Sequence, residues 1–490
     1  MNRLLALGAS LAALTAAAPA LAQDMLITNA KVVIGDGSAP IDGASVLVRG
    51  GRVVAAGRNV AAPQGVPSMD AGGRWVTPGL FATITTLGLA DVDAVDESND
   101  SRAGGAPFSA SLDAAQAINP TSQNILVHRA AGITRAASTT MPSGSIFGGQ
   151  GAIIDLDGDA NPVMQARAFQ MVDLSEGGGR IAGGSRAAAH VLFRSALREA
   201  QALAGRSGIP GTTEITKGDK VMLGRFDAEA LVPVVTGRQK LYVAVERAAD
   251  IRAALALKAE FPRLDLVLVG VSEGWLVASE IAAAKVPVIA NGLNDLPDTF
   301  QQLAATQSNV GRMKAAGVTV AINADAAQNP RRLPQTAGNL VALSRVPGAS
   351  GLSWGEAFAA ISSIPAAISG MGGKAGVLAP GALGDVVIWD GDPLEVPLIG
   401  EAGGVSVSFR QHAGRRAADR PCACPCTGSA GAAKLSLARA AAALSARPHR
   451  AGWLAFRRRR GALALDHLSG LGPQAECRRC GHRPLRGQAA

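Results

Sequence analysis

The stretch Trp75-Val76-Thr77-Pro78-Gly79-Leu80-Phe81-Ala82-Thr83-Ile84-Thr85-Thr86-Leu87-Gly88-Leu89 decides how the rest of the chain is read. A Thr-Pro-Gly break feeds a run rich in β-branched residues, the pattern of a turn entering a buried strand. On such a strand alternate side chains share a face, so Ile84 and Thr86 point to one side.

Before this stretch, Met25–Ile34, Ala44–Arg49 and Arg52–Gly57 read as short strands joined by Gly-rich turns. That is the pattern of a small antiparallel β unit. After it, strands and helices alternate. Leu241–Val245, Leu264–Val269, Val286–Ala290 and Val318–Ile322 read as strands. Between them come helical stretches at Ala249–Glu260, Glu273–Lys285 and Phe300–Ala316, and an earlier amphipathic helix spans Val191–Ala204. Continuous apolar strands alternating with helices imply a parallel sheet covered by helices. Eight such units fit in about 300 residues, so the expected class is α/β, a TIM-type (β/α)8 barrel. Gly148-Gly149-Gln150-Gly151 lacks a following Lys-Ser/Thr and reads as a turn, not a nucleotide loop.

The 490 residues are 48% hydrophobic but only 3% aromatic, so Ala, Val, Leu and Gly must fill the core. Arg3 followed by the apolar run Leu4–Ala18 and by Ala20-Leu21-Ala22 has the form of a secretory signal peptide. That run is shorter than the ~20 residues a membrane span needs. The expected product is exported, periplasmic or secreted, with no transmembrane segment after cleavage. Of 47 Lys+Arg and 38 Asp+Glu, residues 401–490 hold 16 and 4, leaving 31 and 34 in residues 1–400. The body is therefore mildly acidic and the basicity belongs to the tail. All five cysteines also lie there, at Cys422, Cys424, Cys426, Cys477 and Cys480. The tail has few aromatics for base stacking, so no nucleic-acid partner is expected.

Pro78-Gly79-Leu80 with its following strand resembles the first barrel strand of the amidohydrolase superfamily. Gly132-Ile133-Thr134-Arg135 resembles the start of that family's second strand. Gly376–Gly381 with Asp385-Val386-Val387-Ile388-Trp389-Asp390-Gly391-Asp392-Pro393-Leu394 resembles its return from the barrel to a β-sandwich. The resemblance covers about residues 25–396 and is nearest the imidazolonepropionase-like branch of exported proteins. It implies a small β-sandwich built from N-terminal and post-barrel strands. The expected division is a signal peptide at 1–22, the first part of the sandwich at 23–76, the barrel at 77–375 and the return at 376–400. A basic Arg/Ala/Cys-rich tail then covers 401–490, either disordered or a shifted-frame translation.

The resemblance also implies a hydrolase acting on carbon–nitrogen bonds other than peptide bonds, with Zn²⁺ or another divalent metal. The family holds that metal by a His-x-His pair, a mid-barrel acidic or carboxylated Lys residue, two further His and an Asp. The His positions correspond here to Ile84, Thr86, Ala244 and Gly270, and only Asp325 still matches a ligand position. The mid-barrel ligand has no assignable counterpart. Asp325 is thus the candidate catalytic residue and Glu246, at another strand end, the candidate substrate-binding carboxylate. No metal ligand is assigned and the cofactor stays open. Two functions follow: a hydrolase with an unusual or absent metal centre, or an inactive barrel binding a small molecule or partner at its mouth. Both allow an oligomer.

Other candidates have plainer readings. His128 and His190 lie at unrelated spacing and read as ordinary helix-borne or surface residues. Asp91, Asp93, Asp96, Glu97 and Asp100 could offer oxygens to Ca²⁺ but match no EF-hand loop and read as a solvated acidic loop. Glu273 reads as an acidic residue favoured at a helix start. The tail's Cys-Arg-Arg-Cys-Gly-His has one zinc-like spacing, without a matching second pair.

Overall fold

A computed structural model describes residues 24–92, 94–205, 223–323, 329–395 and 405–408. They belong to the first of two compact units, residues 1–415. The signal-peptide reading at 1–22, Asp93, Asp325 and nearly all of the basic tail lie outside them.

The chain opens with β1 (Met25–Val32), β2 (Ile41–Arg49), β3 (Arg52–Gly57), β4 (Ser68–Asp70) and β5 (Trp75–Pro78). The barrel follows as β6 (Leu80–Thr85), β7 (Ile133–Ser138), β8 (Phe147–Asp155), β9 (Val163–Asp173), β10 (Lys240–Val245), β11 (Asp265–Gly270), β12 (Val288–Asn291) and β13 (Val320–Asn323). β14 (Asp385–Trp389) and β15 (Val405–Ser408) return to the first sheet. The helices are α1 (Gln123–Ala130), α2 (Glu176–Ile181), α3 (Arg186–Ala204), α4 (Arg225–Val235), α5 (Ala248–Glu260), α6 (Ala278–Ala284), α7 (Asn309–Ala315), α8 (Leu333–Leu343), α9 (Trp354–Ala359) and α10 (Ser363–Ile368).

The seven-stranded sheet runs β15-β14-β5-β1-β2-β3, with β4 beside β1. Ile27, Val32, Val46, Val48, Val76, Val386 and Ile388 form its apolar core. The tail therefore contributes one strand: β15 pairs antiparallel with β14, where no regular structure was expected.

The Trp75–Leu89 stretch supplies two strands to two sheets. β5 pairs with β1 and β14, while β6 opens the barrel beside β7. Gly79 stands at the crossing, where any Cβ would collide with the Thr134 side chain. That close approach is why the break contains a glycine.

The eight barrel strands lie side by side in chain order, β6 through β13. Seven run parallel and β8 runs antiparallel to both neighbours. One strand–helix unit of the expected pattern is thus replaced by a strand reversal. The glycines read as a turn at 148–151 lie inside β8. Gly149 forms a bulge at φ +87°, and a Cβ on Gly151 would collide with the Phe169 ring of β9. The seam between β13 and β6 is closed by the chain after α9. Phe81 N–H donates to Ile361 O at 3.1 Å and Ile322 N–H donates to Ala360 O at 2.9 Å.

Helix boundaries differ from the sequence expectation in three places, one of them the expected helix at 273–285, which is a 3₁₀ turn at Gly274–Val277 followed by α6. α3 begins at Arg186, not 191, because the Ser185 hydroxyl accepts from Ala187 N–H and caps it. His190 is consequently inside the helix. The expected helix at 300–316 is a 3₁₀ turn at Phe300–Gln302 and a separate α7.

Alternation along the parallel strands sends one set of side chains inward. Phe169, Tyr242, Val267, Ile289 and Ala321 pack in the lumen, with Phe169 stacked on Tyr242 at 4.2 Å. The Tyr242 hydroxyl lies 3.4 Å from Ser369 Oγ, and burial pushes its pKa up. The lumen is therefore a packed plug at this level, with room only above it, at the strands' carboxyl ends.

Candidate functional site at the barrel mouth

Continuing that alternation past the plug places Asp173, Ala244, Val269, Asn291 and Asn323 on the lumen side at the carboxyl ends of β9 to β13. Asp173, Ala244, Asn291 and Asn323 are half-buried, so the mouth offers a carboxylate and two carboxamides to solvent. Sequence reading missed all three. Asp173 closes the fourth barrel strand, a mid-barrel acidic position whose strand was not recognised. The 11-residue β9 pairs antiparallel with β8, outside any strand–helix pattern. A cleft of about 180 Å³ lies beside β12 and β13, lined by Asn291, Asn294, Asn323, Arg332, Gln335 and Asn339.

Glu246 follows β10 and reaches the same end of the barrel. Its Oε2 accepts from Ser272 N–H at 2.9 Å and from Ser272 Oγ at 2.6 Å. Asn294 Nδ2 in turn donates to Ser272 Oγ at 3.2 Å. Burial raises the Glu246 pKa above its ordinary range. The Ser272 bonds oppose this, while Asp173 and Glu273 reinforce it. The space for the carboxyl comes from Gly270, where a Cβ would collide with Glu246 Oε1. Gly270 sits at φ +89°, and Val271 beside it at φ +50°. Ile84, at the end of β6, also stands at φ +50°. Two β-branched residues in the left-handed region at one end of a barrel mark backbone strain concentrated at the mouth.

The other positions singled out by sequence fare variously. Ile84 is buried against the luminal plug and Thr86 is buried beyond it. Ala244 presents a methyl group and Gly270 no side chain. Asp325 lies outside the described residues. Glu273 does not start its own helix as an acidic first-turn residue. Its Oε2 accepts from Ala248 N–H at 2.9 Å, anchoring the start of α5, and its Oε1 accepts from Ala304 N–H at 3.2 Å.

His128 is buried, with Nδ1–H donating to Asn124 O at 2.6 Å and no partner at Nε2. Burial lowers its pKa, so it is a neutral interior histidine. His190 is half-buried; burial and then Arg194 lower its pKa. Neither lines the clefts beside Asp173 or beside β12 and β13. In the acidic loop Asp91 accepts from Asn119 Nδ2 at 3.1 Å, and no three of its carboxylates converge among the described residues.

The one group of three potential metal-binding side chains among the described residues is Asp155, Asp157 and Asp159. It lies at the end of the antiparallel β8, opposite the mouth. There Arg135, fully buried, lies 3.6 Å from Asp155 and forms a two-pronged pair with Asp385 at 2.6 and 2.7 Å. This buried pair ties the barrel to β14. Burial works against the Arg135 charge, and Asp385 and Asp155 outweigh it.

A closed eight-stranded barrel, a sheet built from both chain ends around it and a polar mouth at the strands' carboxyl ends define an amidohydrolase-type architecture. Residues 214–398 match the amidohydrolase family. The chain is 28% identical over 376 residues to an imidazolonepropionase from Acidiphilium cryptum (strain JF-5), covering 72% of this chain and 89% of that protein. Its fold is similar to that of an amidohydrolase from Thermotoga maritima MSB8, with a TM-score of 0.64 and 21% identity. That match covers 76% of this chain and 95% of that one. The chain is thus similar to amidohydrolase-superfamily proteins over residues 214–398 and in its fold.

Proposed function

We propose that this protein is an exported amidohydrolase-family barrel that binds a small molecule at its mouth without the family's metal centre. The observation that supports this best is the arrangement around Gly270. The positions matched to imidazole ligands carry hydrocarbon, a hydroxyl or nothing, at Ile84, Ala244, Thr86 and Gly270. The void over Gly270 is taken by the Glu246 carboxyl, itself tethered to Ser272. A family-type Zn²⁺ needs four converging donors, most of them imidazoles, and this donor set does not fit. The lumen-side carboxylate and carboxamides still supply a few placed polar groups above an apolar floor, as small-molecule sites do.

The second reading is a carbon–nitrogen hydrolase without that metal. It is favoured by Glu246 alone, a buried carboxyl whose raised pKa suits proton donation to a leaving amine. Elemental analysis of the purified signal-free protein and of Asp325→Ala separates the readings. The binding reading expects no stoichiometric transition metal in either, with thermal shifts from small molecules and no amide hydrolysis. A stoichiometric metal lost in Asp325→Ala would refute it. Export is tested by fractionation and the mature N-terminus, expected at Gln23.

A further inference from the structure

Beside the luminal Asp173 lies a cleft of about 540 Å³, within the range of small-ligand sites. Two guanidinium groups, Arg102 and Arg180, face it together with Asp173. Neither arginine has a carboxylate partner among the described residues, whereas nearby Arg186 pairs with Glu176 and Asp250, and Arg247 with Asp250. Arg102 is held at the mouth because Met141 N–H donates to Ser101 O at 2.8 Å, fastening its loop to the end of β7. Arg180 comes from the last turn of α2, which starts three residues after Asp173. Glu176 opens that helix and three glycines follow it, the first of them for a steric reason. A Cβ on Gly177 would stand 2.7 Å from Asp173 Oδ2, so glycine leaves that oxygen approachable. Asp173 Oδ1 is already engaged by Ser175 N–H at 2.8 Å. Met141, Pro142 and Ile181 supply the remaining, apolar wall.

Two cations and one anion facing a common space discriminate by charge. A plain cation meets two like charges, and a plain anion meets the Asp173 carboxylate. A molecule carrying both charges satisfies all three groups through charge-assisted hydrogen bonds. We propose that this cleft binds a small zwitterion with an apolar side chain, of the α-amino acid class, its carboxylate on Arg102 and Arg180 and its ammonium on Asp173. The proposal rests on the ligand-binding reading above and names the ligand class.

Calorimetric titration of the purified full chain tests it with three matched probes: L-leucine, 3-methylbutylamine (no carboxylate) and 4-methylpentanoate (no ammonium). Leucine is expected to bind at least about tenfold more tightly than either. Arg180→Gln and Arg102→Gln, both at exposed side chains, should each weaken leucine and 4-methylpentanoate about tenfold and leave the amine unchanged. Asp173→Asn should weaken leucine and the amine and spare the carboxylate. Equal binding of the three probes, or variants that weaken all or none of them, would overturn the proposal. If leucine fails to bind while a panel of uncharged amides and polyols does, the zwitterion assignment falls and the binding reading stands. If neither leucine nor that panel binds, both fall.

Discussion

Replacing Gly270 by alanine probes the feature on which the site reading depends. The substitution adds one carbon and has two separable effects. An alanine at φ +89° bears left-handed backbone strain of about 1–2 kcal/mol. The new Cβ also meets Glu246 Oε1 and must push the carboxyl away from Ser272, whose N–H and Oγ both donate to it. Each lost bond contributes about 1 kcal/mol net, more if the carboxyl is ionised. The expected total is about 3–5 kcal/mol. Scaling the entropy of unfolding to a body of this size converts that to a fall in Tm of roughly 4–6 °C. Thermal unfolding followed by circular dichroism measures it, and a double-mutant cycle with Glu246→Ala divides it. If the collision is real, the alanine at 270 should cost only its backbone strain once Glu246 is gone, leaving a coupling of about 2 kcal/mol. Additive costs, or a Gly270→Ala variant melting within a degree of the parent, would refute the claim that Gly270 makes room for Glu246.

Further tests follow from groups elsewhere in the fold. Because burial raises the folded pKa of Glu246 above its ordinary 4.5, its contribution is fully present below 4.5 and lost as pH rises through the folded value. Glu246→Gln should therefore gain in Tm relative to the parent over that window; a relative loss contradicts the sign. His128 has the opposite arithmetic: its lowered folded pKa means stability present above 6.5 and lost as pH falls below it, so His128→Leu should flatten the acid side of the Tm profile. Asp385→Ala removes the two-pronged partner of the buried Arg135, leaving only the looser pair with Asp155, and should cost about 3 kcal/mol. Arg135→Met with Asp385→Leu should be milder, and a double variant worse than the single would count against a desolvated pair. Chelator treatment of the purified protein should leave its Tm unchanged within a degree; a large fall would show a metal that supports the fold.

Much of the architecture was legible in local patterning. The strand at Arg52–Gly57 and the β10–β11 pair coincide with the sequence reading to within a residue, because continuous apolar runs between glycines leave few other conformations. The Pro78-Gly79 junction was visible for the same local reason, although not its cause, a Thr134 side chain 55 positions later. The assignment of Ile84, Thr86, Ala244 and Gly270 to ligand positions came from the family resemblance; strand alternation linked only the first two.

Only the tertiary structure decided the rest. β8 reads as a glycine-rich turn because its glycines answer to neighbours, Phe169 among them, that local sequence does not reveal. Asp173 is an unremarkable Asp before Leu-Ser-Glu until pairing with Ala244 places it on the lumen side. Glu246 and Gly270 are 24 residues apart, and nothing in either segment states that one fills the space left by the other. Chain order and hydrophobic period determine which segments become strands. Which side chains share a cavity depends on register and closure, and those are properties of the folded barrel.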